Sequence, residues 1–135
     1  MTRFKGRIIV AGRVEGLALV SHQPISFYGG VNPESGEIVE EGHMLKGVKV
    51  SGRILVFPHG KGSSVGAYVL YAMAKYGTAP KAIINIEAEP VVASGCILAE
   101  IPLVDRLNVN PLEAISTGDW VRILEDGTVE VSKRS

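Results

Sequence analysis

The sequence predicts a single mixed α/β domain with a βαβ core, and three observations carry that expectation. Apolar runs at 53–57, 82–86 and 101–104 read as buried strands. The segments between them carry helix signals. Near the C-terminus, Asp126-Gly127 separates two further strand-like runs and marks a tight hairpin. At 135 residues, with 46% hydrophobic and 21% charged residues, the chain suits one compact domain spanning 1–135 with a real core.

Taken in order, residues 7–11 and 16–20 are short apolar runs, with Gly12 and Gly16 suggesting bulges or close backbone approach. Residues 24–28 read as a short strand, 29–37 as a turn-rich loop, and 46–57 as a return to strand character beginning at Val48-Lys49-Val50. The spacing of Val65, Val69, Ala72, Met73 and Tyr76 predicts one apolar stripe on a helix, with Ser63 or Ser64 as N-cap and Gly77 as terminator. Strand 82–86 follows through Thr78-Ala79-Pro80, which closes a right-handed crossover. Pro90 and Glu89 favour a second helix start, and residues 119–124 and 128–131 complete the hairpin.

Fourteen basic residues balance fourteen acidic ones without a clustered basic stripe, so nucleic acid is not an expected partner. No run approaches the roughly 20 apolar residues of a membrane span, and the first residues lack a signal-peptide core. The lone Cys96 forms no internal disulfide and holds no iron–sulfur cluster or structural zinc by itself. A cytoplasmic location follows as the expectation.

The segment Phe57-Pro58-His59-Gly60-Lys61-Gly62-Ser63-Ser64-Val65-Gly66 concentrates the chemistry. A strand, a glycine-bared loop and a helix start aim backbone N–H groups and hydroxyls at one point, where negative charge is stabilised. Ser63 and Ser64 fit either a helix cap or a reactive hydroxyl. Lys61 fits either a solvated charge or a cation beside an alkoxide. The spacing is neither a Walker A loop nor a Gly-x-Ser-x-Gly elbow. His22, His43 and His59 share no ligand spacing, and only His59 lies in the loop. Glu87 and Glu89 follow a strand end, as solvated turn residues or as the lining of a cleft.

Three stretches together resemble the small subunit of the aconitase X family: residues 29–38, the glycine–serine loop, and 83–93 continuing through 101–105. The resemblance implies a swivelling β/β/α domain like the swivel domain of aconitase. It also implies a heterodimer, in which a large subunit carries a [4Fe-4S] cluster that acts as Lewis acid on the substrate hydroxyl. The swivel domain would bring a serine base to the neighbouring carbon. In aconitase-type domains the motif is Gly-Ser-Ser-Arg with its first serine as base, which corresponds to Ser63 here. Gly62, Ser64, Gly66 and Lys61 would support substrate and alkoxide. Val65 stands where that motif has a carboxylate-binding arginine, so that contact is not carried over. The two-subunit form of the family implies dehydration of a phosphorylated hydroxy acid, (R)-5-phosphomevalonate, to trans-anhydromevalonate 5-phosphate. Alternatives are a related dehydratase acting on a hydroxyproline, or a phosphohistidine carrier with His59 as acceptor.

Overall fold

A computed structural model describes residues 1–134. The elements run β1 (Thr2–Lys5), β2 (Arg7–Val10), β3 (Val14–Val20), α1 (Phe27–Gly30), β4 (Ile54–Phe57), α2 (Gly66–Tyr76), β5 (Ala82–Asn85), α3 (Pro90–Ala99), β6 (Leu103–Asp105), α4 (Pro111–Ala114), β7 (Trp120–Ile123) and β8 (Thr128–Ser132). The strands are ordered β1-β8-β7-β3-β4-β5-β6-β2. Strands β3 to β6 are parallel neighbours. The remaining pairs are antiparallel. β1 and β2 stand at opposite ends of this order, yet only Gly6 separates them in the chain. The sheet therefore curls until its edges meet. A Cβ on Gly6 would come within 2.4 Å of Val104 Cγ1, so this corner requires a residue without a side chain.

The central strands alternate between two cores, as a period of two requires. Ala18, Val20, Ile54, Val56, Ile84 and Val104 face the antiparallel half of the sheet, where Val121, Ile123, Val129 and Val131 meet them. Leu19, Leu55, Phe57, Ile83 and Leu103 face the other way, onto Leu70 and Met73 of α2 and Val92 and Cys96 of α3. The result is three layers, β/β/α. Among the described residues no helix is long and apolar enough to cross a membrane.

The expected βαβ core and the Asp126-Gly127 hairpin are present in the predicted order. Four local expectations need correction. Residues 24–28 form no strand. Ile25 makes one bridge to Gly60, and Phe27–Gly30 is a single helical turn with non-helical angles at Tyr28 and Gly29. Val48–Val50 likewise forms no strand: it follows a turn at 44–47 and makes one bridge, Glu37 to Lys49, and Val50 is buried by side-chain packing rather than by a ladder. The buried stripe of α2 runs through Ala67, Leu70 and Met73, whereas Val65 and Tyr76 are exposed. The helix begins at Gly66, after the serines, so Val65 lies outside it, and tertiary packing turns the Ala67-Leu70-Met73 face inward. Finally, the third core strand is Leu103–Asp105, with Ile101 buried ahead of it. Gly77 ends α2 in the left-handed region as expected, at φ +78°.

Candidate active site

Strand β4 is wholly buried and stops where Pro58 removes the next backbone donor. The Pro58 carbonyl accepts the Ile86 N–H at 3.0 Å, which ties the loop to the end of β5. The Lys61 N–H donates to the Ile25 carbonyl at 3.1 Å and fixes the loop's other side. Gly60 lies over the start of α3: a Cβ there would stand 2.5 Å from both Glu89 Oε1 and Val92 Cγ2. Gly62 has φ +90°, and its missing side chain leaves room for Ser26 Oγ, 2.5 Å from where a Cβ would sit. The two bare positions thus have separate causes. One seats the loop on α3, and the other turns the chain toward Ser63.

Ser63 and Ser64 are both exposed. Neither is the N-cap of α2; Val65 holds that position and makes no side-chain capping bond. The serines instead form the turn before it, with the Gly66 N–H donating to the Ser63 carbonyl at 3.0 Å and the Ala67 N–H to the Ser64 carbonyl at 3.2 Å. The Val65 N–H donates to Ser63 Oγ at 3.2 Å. A donor on that oxygen favours its negative form, as does the adjoining helix start. Among the described residues the N–H groups of Gly62, Ser63 and Ser64 have no protein acceptor, so they too are free to meet an anion. Gly66 lets the helix start approach its neighbours: a Cβ would lie 3.2 Å from Val91 Cγ1 and 3.6 Å from Phe27 Cβ.

Lys61 is not a lone charge. Its Nζ donates to Glu40 Oε2 at 2.8 Å. Sequence reasoning missed Glu40 because no spacing rule links residues 21 apart, although it closely follows the 29–38 segment. It also missed Ser26, whose contact with Gly62 is purely tertiary. His59 is exposed, with Nδ1 2.7 Å from the Gly60 carbonyl of its own loop. His43 lies elsewhere and is structural: its Nδ1 accepts the Leu45 N–H, which leaves Nε2 to donate to the Pro24 carbonyl. Glu89 caps α3, accepting the Val91 and Val92 N–H groups at 3.0 and 2.6 Å. Glu87 pairs with Arg106 in solvent.

The turn between β5 and α3 is anchored by Asp105. This buried carboxylate takes two hydrogen bonds from Arg7, at 2.9 and 2.8 Å, and one from the Ala88 N–H at 2.8 Å. Burial pushes its pKa up, but the Arg7 and Ala88 hydrogen bonds and the Arg7 and Arg106 charges outweigh this and leave it below the usual range. Cys96 is buried on the inner face of α3, and desolvation pushes its thiol up to about 12. Among the described residues no group of three or more His, Cys, Asp or Glu side chains is placed to hold a metal ion. The described residues offer one buried thiol, Cys96, and not the set of exposed cysteines that an iron–sulfur cluster takes as ligands.

A three-layer β/β/α domain with an exposed serine loop at the C-terminal ends of its parallel strands defines a swivel domain. Residues 3–131 match the aconitase X swivel domain, and the chain belongs to that family. It is 52% identical over 132 residues to the phosphomevalonate dehydratase small subunit of Methanosarcina acetivorans, spanning 97% of this chain and 92% of that one. It is 49% identical to the protein of the same name from Thermococcus kodakarensis, over 96% of each. Its fold matches the crystal structure of Thermococcus kodakaraensis aconitase X (holo-form) with a TM-score of 0.93 and 46% identity, covering 98% of this chain and 100% of that one.

Proposed function

We propose that this chain is the small subunit of a phosphomevalonate dehydratase, a hydro-lyase that acts only with its large subunit. The pair removes water from (R)-5-phosphomevalonate to give trans-anhydromevalonate 5-phosphate. The observation that carries this reading is about half identity, over nearly the full length of both chains, to proteins bearing that name.

In this reading Ser63 Oγ takes the proton from the carbon next to the one that loses its hydroxyl. The exposed position of Ser63 supports the role, as does the Val65 N–H already donating to its oxygen. Gly62 and Ser64 offer N–H groups that have no acceptor among the described residues, and Gly66 keeps the start of α2 close. Lys61 stands at the loop's edge as a cation for the substrate's phosphate or carboxylate. The [4Fe-4S] cluster is assigned to the large subunit, because the single thiol of this chain is buried and protonated.

The test is anaerobic reconstitution with the large subunit and an assay for loss of water from 5-phosphomevalonate. Ser63→Ala is expected to lower kcat by at least about 100-fold, the scale of a lost general base. Its melting temperature should stay unchanged, since the side chain is exposed. Ser64→Ala should cost less. Near-wild-type turnover by Ser63→Ala removes the base assignment. Turnover of a hydroxyproline in place of phosphomevalonate removes the substrate.

A further inference from the structure

Beyond that reading, on which its kinetic consequence rests, we infer that Glu40 is a positioning residue for the serine loop and acts through Lys61. Two observations place it. Glu40 Oε2 accepts the Lys61 ammonium at 2.8 Å. Its other oxygen, Oε1, lies 3.1 Å from where a side chain on Gly30 would begin, so the bare Gly30 leaves the space that the carboxylate fills. The Val39 N–H donates to the Gly30 carbonyl at 2.9 Å, which sets the main chain beside Glu40 against the same turn.

Lys61 is consequently held at both ends. Its main chain is bonded to Ile25 and its ammonium to Glu40. Gly62 follows at φ +90°, seated on Ser26, and Ser63 comes next. A lysine otherwise swings on four rotatable bonds and fixes nothing. With Glu40 in place, the cation has one set position and the residue before Gly62 is immobilised. The pair is partly exposed, at 46% and 27% for the two side chains, so it adds little to fold stability. Its contribution is placement.

The test has two arms. In the full chain, amide NMR signals of Gly62, Ser63 and Ser64 should move in Glu40→Ala and in Lys61→Met. The double variant should match Lys61→Met alone, with melting temperatures kept within about 2 °C. Unmoved loop signals in Glu40→Ala, or shifts in the double variant that equal the sum of the singles, overturn the inference. In the reconstituted enzyme, Glu40→Ala should raise KM about fivefold, the upper end for an exposed pair, with kcat kept within about twofold. An unchanged or lowered KM overturns it. Should the wild-type pair fail to dehydrate phosphomevalonate while the NMR coupling is present, the substrate reading fails and the positioning role stands.

Discussion

Replacing Gly60 with alanine is the sharpest test of how the loop is seated. The added methyl would stand 2.5 Å from Glu89 Oε1 and 2.5 Å from Val92 Cγ2. Glu89 has a flexible side chain, but both of its oxygens are engaged by the first N–H groups of α3. Val92 cannot yield easily: it is β-branched, helical and fully buried. Displacing Glu89 costs about 1 kcal/mol of capping, and overpacking against Val92 costs about 1–3 kcal/mol. Together that is about 2–4 kcal/mol. The unfolding entropy of a 135-residue chain is about 0.28 kcal/mol/K. The melting temperature should therefore fall by about 7–14 °C, read by far-ultraviolet circular dichroism on the full chain. Turnover of the reconstituted enzyme should fall more than stability alone explains, because the strain enters the same short loop that carries Lys61 and Ser63. A Gly60→Ala chain melting within about 2 °C of wild type would refute the seating of the loop on α3.

Asp105→Asn should destabilise the chain by about 2–3 kcal/mol, since it breaks a buried carboxylate's pairing with Arg7, which itself reaches water; urea unfolding measures this. In the wild type, Asp105 and Asp119 both lie below the usual carboxylate pKa. For Asp119, burial raises the value, but hydrogen bonds from the Ser116 N–H, Lys133 and the Arg134 N–H lower it further. Stability from both is fully present above the unfolded carboxylate pKa of about 3.9 and is lost as pH falls through the folded values, so an acid titration of the melting temperature should drop below about pH 4 and drop less steeply in Asp105→Asn, where Asp119 still contributes. Cys96 should resist an aromatic disulfide reagent at pH 8 in the native chain and react at once in guanidinium, because burial holds the thiol protonated.

The buried strands and the hairpin were readable because their signals are local. Ile54-Leu55-Val56-Phe57 is apolar on both faces, and Asp126-Gly127 supplies the positive φ at Gly127 that its turn requires. β1 was not readable. Thr2-Arg3-Phe4-Lys5 is short and mostly exposed, and it becomes a strand only by pairing with β8 more than a hundred residues away. Val48-Lys49-Val50 alternates as a strand should, but its outcome is set by the turns from His43 to Gly47 that hold it off any sheet edge. In the candidate site the same division holds. The glycine–serine loop announces itself by composition, whereas Glu40 and Ser26 reach it only once the chain has folded back from 25–40. Sequence spacing carries no trace of such a contact.

The closure of the sheet through Gly6 has a practical corollary. Because Thr2 faces Val131 across the β1–β8 ladder, the beginning and the end of the folded unit emerge side by side. A few flexible residues would suffice to splice the two extremities together, with fresh ends opened at a surface turn such as Gly42 or Gly47, where nothing lies within 4 Å of an added side chain.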